Sequence, residues 1–414
     1  MKKVVIIGAN DFQNPLILKA KELGYETHVF AWKDGSIGEK TADYFYPISI
    51  VEKDKILKEC KKIKPQAIAS IGSDLASITV NYLAYELGLP CNNPKYSEQC
   101  TNKYEMRKVF LENGVVVPQF VKLGKDDEVI LNEFEFPVIV KPTDRSGSRG
   151  IFLCKNIEEV KEAIPLSAEL SFEKKAIVEE YISGNEYSCE GITQNGEHHI
   201  LTFTKKYTTG APHFIETGHK QPSDLTEEQQ KNISEIIKKA LTALKIENSA
   251  SHAEFKIDEK GRIRIIEIGA RMGGDCIGSH LVKISTGYDF VKMVLDVALG
   301  NKIKLVKVDK PQNAIIKFIF NDEDIKKYEY KKLYVVANLP YYITTPIIEK
   351  IIEDDLGVDK IVIMVQKEVG DRFNAKVGTK DYNSLTVFLN YYFDIKKLMN
   401  VSRNSFVPAP NVDS

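Results

Sequence analysis

The sequence predicts an α/β protein of more than one domain, and three patterns carry that expectation. The first 100 residues alternate short apolar strands with helices, the rhythm of a parallel sheet covered on both faces. From Pro137 the pattern turns to strand–loop–strand hairpins with one long amphipathic helix, an α+β arrangement. Beyond Lys332 a new apolar strand opens a further α/β segment. At 414 residues the chain is too long for one ordinary core.

The opening reads in order as follows. Val4–Gly8, Thr27–Ala31 and Ala67–Ile71 are strands, and Pro15–Leu23, Asp54–Ile63 and Asp74–Leu87 are helices, the first and last ended by Gly24 and Gly88. The turn after the first strand, Gly8-Ala9-Asn10-Asp11, lacks GxGxxG, so no nicotinamide cofactor is expected there. A charged helix spans Asn102–Phe110. Strands follow at Pro137–Lys141, Ile151–Cys154, Ala176–Ile182, Tyr187–Ile192 and His199–Lys205, with a helix at Glu158–Ile164. Ile233, Ile236, Ile237, Ala240, Leu241 and Leu244 recur at helical spacing after the capping residues Ser223 and Thr226. His252–Ile257 and Ile263–Ile268 flank the turn Asp258-Glu259-Lys260-Gly261.

Composition excludes several classes. Lysine plus arginine (57) nearly balances aspartate plus glutamate (58), so no whole-chain bias toward nucleic acid or membrane exists. No apolar stretch has the length of a bilayer span, and the N-terminal apolar run is too short for a signal peptide. The six cysteines show no CxxC or zinc-like spacing and read as reduced thiols. A cytoplasmic protein is expected.

Chemistry concentrates in five places. The loop Asp144-Arg145-Ser146-Gly147-Ser148-Arg149-Gly150 can turn N–H groups and hydroxyls toward phosphate oxygens. It lies between two strands, which excludes the Walker loop and the Rossmann fingerprint, both of which need a helix N-terminus. Lys141 closes an apolar strand and must send its ammonium to a polar partner. Lys103 sits on the preceding helix, where a solvated face is the plain alternative. The strand end Val178-Glu179-Glu180-Tyr181-Ile182 and Glu186 could offer backbone and carboxylate groups to a nucleoside, though each glutamate alone reads as readily as a solvated edge residue. Glu254 and Glu267 stand among apolar neighbours beside Arg271, which suits either magnesium or a buried salt bridge.

Taken in order, NK-x-x-MR, VIVKP, the glycine loop, VEEYI-x-G-x-E and HAEF…IIEIGARMGG resemble the ATP-grasp superfamily, over about three quarters of the chain. The resemblance implies a βαβ pre-ATP-grasp domain (1–100) and a two-lobed α+β ATP-grasp domain (101–305). It implies that Lys103 and Lys141 contact ATP phosphates, and that Ser146, Gly147, Ser148 and Gly150 close over them. Glu179 and the Tyr181-Ile182 backbone would hold adenine, and Glu186 the ribose. Glu254 and Glu267 would hold Mg²⁺ (or Mn²⁺), and Arg271 would stabilise the transferring phosphoryl group. Family members commonly carry asparagine two residues after the second metal glutamate; here that residue is Gly269. The implied reaction is ATP-dependent joining of a small-molecule carboxylate, activated as an acylphosphate, to an amine or thiol. An ATP-binding module without turnover remains the bland alternative. The segment from Lys206 to His219 looks like a substrate-side loop of such ligases, or is simply a polar connection.

After a junction (306–332), residues 333–414 carry a second resemblance. Val336-Ala337-Asn338-Leu339-Pro340-Tyr341, with Met364–Val369, Gly378–Tyr382 and Ser405–Ser414, is similar to the small-subunit ribosomal RNA adenine dimethyltransferases. That resemblance implies a partial Rossmann-like methyltransferase segment in which Asn338, Pro340, Tyr341 and Phe406 face a flipped target base. A ribosomal RNA adenine N6,N6-dimethyltransferase is therefore the rival reading. The family's glycine-rich S-adenosylmethionine turn has no counterpart here, and its helical RNA-binding domain would follow Ser414. The segment is expected to be inactive alone, with no S-adenosylmethionine bound and RNA as a partner only if it functions.

Overall fold

The computed structural model describes residues 2–147, 149–211, 214–305, 312–318, 334–338, 344–353 and 358–400. Ser148, Pro340, Tyr341 and Phe406 lie outside the described residues, as does most of the 306–332 junction. The chain divides into two compact units, Met1–Phe318 and Ile319–Ser414.

The first unit opens with a parallel sheet of order β3-β2-β1-β4, formed by β1 (Lys3–Ile7), β2 (Glu26–Phe30), β3 (Tyr44–Tyr46) and β4 (Ala67–Ala69). Helices α1 (Asn14–Glu22), α2 (Ile37–Thr41), α3 (Lys53–Ile63) and α4 (Asp74–Glu86) connect the strands. Alternation along β1 splits its side chains between two cores. Val4 and Ile6 pack with Leu16, Ile17 and Ala20 of α1, whereas Val5 and Ile7 pack with Ile56, Cys60 and Leu83 of α3 and α4. The Ser73 hydroxyl caps α4 by accepting the Ala76 N–H at 3.2 Å, which fixes Asp74 in the first turn at the strand-end side of the sheet.

Helix α5 (Lys103–Glu112) is capped by Asn102, whose side chain accepts from Tyr104 and Glu105. An antiparallel sheet of order β5-β8-β6-β7 follows, from β5 (Phe120–Leu123), β6 (Val138–Pro142), β7 (Phe152–Cys154) and β8 (Ala176–Glu180). Helix α6 (Ile157–Leu170) covers it. The sequence reading ended this helix at Ile164, before Pro165. The helix runs on because Ser167 and Ala168, one turn beyond the proline, remain buried, and packing outweighs one missing N–H.

The third sheet has the order β13-β12-β9-β10-β11-β14 and is antiparallel throughout. Its strands are β9 (Asn185–Gln194), β10 (Glu197–Thr208), β11 (Glu216–Gln221), β12 (Ser249–Ile257), β13 (Ile263–Gly269) and β14 (Ala314–Lys317). The long helix α7 (Glu227–Ala243) begins in a Thr226/Gln229 capping box and lays Ile233, Ile237, Ala240 and Leu241 against Tyr187, Phe203, Phe255 and Ile268. Helices α8 (Val282–Thr286) and α9 (Phe290–Ala298) close the unit, and α9 enters the same core as α1 and β1. Residues 206–208 and 216–219, read from sequence as part of a polar loop, lie in β10 and β11. No apolar alternation marked them because their buried side chains, Lys206 and His219, are polar.

In the second unit β15 (Tyr334–Asn338) pairs in parallel with β16 (Lys360–Met364), and Asn338 closes its strand. Helices α10 (Thr344–Glu353), α11 (Lys367–Phe373) and α12 (Ser384–Tyr392) accompany them around Ile348, Phe373 and Leu389. Among the described residues no helix is long and apolar enough to cross a membrane.

Phe255 is fully buried, stacked on Tyr187 and edge-on to Phe203. Phe255→Ala is expected to cost about 3–5 kcal/mol of stability, read as a lowered midpoint in urea unfolding.

Candidate active site

The β5–β8 sheet carries the first charged cluster. Lys141 at the end of β6 reaches Glu179 of β8 with Nζ 2.5 Å from Oε2, and Arg107, one turn after Lys103 on α5, donates Nε to Oε1 at 2.6 Å. All three side chains are buried. Burial alone would push the Glu179 carboxyl up, but Arg107 and then Lys141 hold it at about 2. Lys141 moves the other way. Burial lowers its pKa, and the nearby charges of Arg107 and Lys103 add to that lowering against the single opposing carboxylate of Glu179. Arg107 also donates Nη2 to the Ile266 carbonyl at 2.6 Å, while its buried Nη1 has no partner. Cations thus outnumber carboxylates here, an arrangement that invites an anion.

Lys103 bridges to the third sheet. Its ammonium lies 2.9 Å from Glu267 of β13 and donates to the Arg145 carbonyl at 2.6 Å, at the base of the glycine loop. That loop is anchored by Asp144, whose carboxylate accepts the Phe172 and Glu173 N–H groups. Its rim residues Ser146, Gly147 and Arg149 are exposed. Gly147 and Gly150 take φ of +76° and +70°, a conformation that favours glycine.

Glu254 of β12 and Glu267 of β13 are directly opposed in the ladder and share one face of the sheet. Glu254 is gripped by Lys206 at 2.8 Å and by His252 Nε2 at 3.1 Å. Burial would raise its pKa, but Lys206 and His252 hold it well below the usual carboxylate range. Lys206 is the hub of this side, 2.7 Å from Glu216 and 3.6 Å from Glu186. Burial opposes its charge, yet Glu254, Glu216 and Glu186 together keep it firmly protonated. Glu186, also near Lys256 at 3.8 Å, is pushed up by burial and by the charge of Glu254. His252 is held at about 9: burial lowers it, but Glu190 and Glu254, bonded to its two nitrogens, more than compensate. Glu190, fully buried, also accepts the Gly273 N–H at 3.0 Å.

The residues singled out from sequence therefore fall into linked groups. Lys141 and Glu179 share one network through Arg107, Lys103 pairs with Glu267, and Glu186 and Glu254 meet at Lys206. Tyr181 donates its N–H to the Pro137 carbonyl at 3.4 Å, and the Ile182 carbonyl accepts from Lys256 at 3.3 Å. Arg271 pairs with neither glutamate; its partner is Asp74 of α4, at 2.8 and 3.1 Å. Sequence reasoning gave no role to Asp74, Arg107, Glu190, Lys206 or His252. The i,i+4 spacing of Lys103 and Arg107 was a usable signal, whereas Asp74 lies 197 residues from its partner and left none. Glu216, His219 and Asp275 place ligand atoms within 4.8 Å of one another, a further trio that sequence spacing did not reveal.

Opposed carboxylates on one sheet face supply the hard oxygen donors that Mg²⁺ or Mn²⁺ prefers, and lysine ammonium groups now balance both of them. Glu254 and Glu267 thus fit a divalent cation.

Residues 134–279 match the ATP-grasp domain family, and residues 279–414 match the ribosomal RNA adenine dimethylase family. The fold is that of ATP-grasp ligases. Phosphoribosylglycinamide synthetase from Anaerococcus prevotii superposes with a TM-score of 0.64 at 23% identity, over 77% of this chain and 81% of that one. L-amino acid ligase from Bacillus licheniformis gives 0.63 at 25% identity, over 72% and 74%. N5-carboxyaminoimidazole synthetase from Staphylococcus aureus, complexed with ADP, gives 0.66 at 15% identity, over 79% and 84%. Ribosomal RNA small subunit methyltransferase A from Clostridioides difficile is 36% identical over 155 residues, 33% of this chain and 53% of that protein. Its counterpart from Bacillus cytotoxicus is 59% identical over 80 residues, 19% and 27%. The chain spans about half the length of the first of these relatives and about a quarter of the second. It is a fusion, an ATP-grasp segment followed by a segment of the ribosomal RNA adenine dimethylase family. The dimethylase match begins at residue 279, ahead of the Asn-Leu-Pro-Tyr stretch, although residues up to Phe318 fold with the first unit.

Two pH effects follow from the buried pairs. His252 has its pKa raised from 6.5 to about 9, so its stabilising contribution is complete below pH 6.5 and disappears as pH rises through about 9. Glu179 is lowered from 4.5 to about 2, so its contribution is complete above pH 4.5 and disappears as pH falls through about 2. Urea unfolding across pH should show both losses, with His252→Gln flattening the alkaline limb and Glu179→Gln the acid limb.

Proposed function

We propose that residues 1–318 form an ATP-dependent ligase that activates a small-molecule carboxylate as an acylphosphate for attack by an amine or similar nucleophile. The observation that carries this reading is the convergence of Arg107 and Lys141 on the buried carboxylate of Glu179, with the charge of Lys103 felt by Lys141, a cationic surplus suited to a polyphosphate. Residues 1–100 would be the pre-ATP-grasp domain and 101–305 the nucleotide-binding and catalytic domain, in a cytoplasmic protein.

In this reading Lys141 and Lys103 bind ATP phosphates, exchanging part of their hold on Glu179 and Glu267 for phosphate oxygens. The loop through Ser146, Gly147, Ser148 and Gly150 offers N–H groups to those oxygens and, folded over them, excludes water that would hydrolyse an acylphosphate. Glu179, expected from the resemblance to hold adenine, has both oxygens bonded to Arg107 and Lys141 and in this reading holds Lys141 beneath the nucleotide site instead; the Tyr181-Ile182 backbone and Glu186 border adenine and ribose. Glu254 and Glu267 would hold Mg²⁺ or Mn²⁺, which when bound neutralises charge on the phosphates. Arg271 supplies fixed positive charge where the phosphoryl oxygens gain negative charge. The substrate carboxylate attacks the γ-phosphorus, ADP leaves, and the nucleophile then displaces phosphate from the acyl carbon.

The second unit supports a separate reading because it lies within residues 279–414, which match the ribosomal RNA adenine dimethylase family. We assign to Asn338, Pro340, Tyr341 and Phe406 the contacts to a target adenine of RNA, and no methyl transfer to the segment alone.

Calorimetric titration of the full chain tests both readings. Magnesium-dependent ATP binding is expected, weakened in Lys141→Ala by about 1.5–3 kcal/mol, roughly 10- to 150-fold, with the melting temperature checked in parallel. Tight binding of S-adenosylmethionine without ATP binding would reverse the assignment.

A further inference from the structure

The ligase reading makes Arg271 a catalytic group, and the structure shows what fixes it. Asp74, in the first turn of α4, meets the guanidinium edge to edge: Nε donates to Oδ1 at 2.8 Å and Nη2 to Oδ2 at 3.1 Å. Nη1 donates to the Met272 carbonyl at 3.3 Å. These three bonds leave two of the five guanidinium N–H groups for an incoming anion. Both side chains are largely enclosed, at 14% and 19% exposure. Burial would push the Asp74 carboxyl up, yet Arg271, and to a lesser extent Lys103 and His252, hold it below its usual value. The electrostatic neighbours of Arg271 include Glu267 and Glu254 as well. Arg271 thus feels the charge of the two carboxylates assigned to the metal, though it bonds to neither.

Gly269 gives an independent sign of the same arrangement. A Cβ added there would come within 2.9 Å of Asp74 Oδ1 and 3.1 Å of Arg271 Nε. Its backbone lies outside the left-handed region, so any residue could adopt the conformation, and space alone excludes a side chain. Glu267 and Gly269 are two residues apart on β13 and share a face. The carboxylate of Asp74 thus stands over Gly269, on the face of β13 that carries Glu267, where a local side chain would otherwise project. A residue from the parallel sheet domain fills a place on the catalytic sheet, and β13 has given up its own side chain to admit it.

We propose that Asp74 is a positioning residue of the ligase site: it holds Arg271 so that the remaining guanidinium donors face the γ-phosphate. This assignment rests on the ligase reading. It also makes the reaction depend on the N-terminal domain, because no residue of residues 101–318 supplies the grip among the described contacts of Arg271 other than the Met272 carbonyl.

The test compares ADP with the β,γ-imido analogue of ATP, each with Mg²⁺, on the full chain. The ratio of the two affinities isolates what the γ-phosphate contributes. In Asp74→Ala this ratio is expected to fall roughly 10-fold while ADP affinity stays near that of the unaltered chain; the melting temperature falls too, because Arg271 loses its enclosed partner. Asp74→Asn, equal in shape but uncharged, should fall between the two and guards against loss of fold. The double variant Asp74→Ala/Gly269→Asp returns a carboxylate to the same space and should recover most of the ratio. An unchanged ratio in Asp74→Ala would overturn the proposal. So would a parallel fall of both affinities together with the melting temperature, which marks a purely structural salt bridge. Failure of the unaltered chain to bind ADP at all would instead sink the ligase reading, and the role of Asp74 with it.

Discussion

One buried carboxylate organises the cationic side of the candidate site. Glu179 lies buried on an inner strand of its four-stranded sheet, where an isolated charge is untenable. It persists because Arg107 comes from α5 and Lys141 from the adjacent strand, one to each oxygen. The three groups tie a helix and two strands to a common point. Removal of Glu179 would leave two buried cations without their shared carboxylate, a situation that typically costs about 3–5 kcal/mol. The same arrangement leaves a surplus of positive charge at the strand end, so the constraint that holds the lobe together also shapes what it attracts.

The second cluster works on a similar rule with the signs exchanged. Lys206 is one cation among Glu186, Glu216 and Glu254, and His252 is a second cation between Glu190 and Glu254. Carboxylates are in excess there, which suits a divalent metal and a cationic substrate group. Lys103, paired with Glu267 and felt by both Lys141 and Asp74, spans the boundary between the two fields. Opposed fields side by side suit the proposed metal-bound polyphosphate, whose phosphate oxygens need cations and whose metal needs carboxylates.

Much of this was legible in the sequence, and the omissions have a common cause. The parallel sheet announced itself through strands such as Val4–Ile7, apolar on both faces and separated by capped helices. The core face of α7 followed from its 3.6-residue spacing, and Lys141 and Glu267 stood out as charges in apolar strands. By contrast β11 was missed because its Glu216 turns to Lys206 at 2.7 Å and its His219 is fully buried 3.1 Å from Glu216, and burial of polar side chains has no hydrophobic signature. Short β3 and β5 gave too few residues for a period to show. Asp74 was read only as a helix start, which it also is; its second role exists only in three dimensions.

Helix α9 belongs by sequence to the end of the first unit, yet Phe290, Val291, Met293 and Val294 lie in the same core as Val4, Ile6 and Leu16. During synthesis one flank of the opening sheet therefore stays uncovered until Ala298 has left the ribosome. At roughly 5–20 residues per second, the delay for that stretch is on the order of ten seconds or more. The nascent chain must shelter those side chains meanwhile, which makes it a natural client for chaperones that bind exposed apolar segments. A short fragment ending near residue 100 would carry the same bare flank permanently.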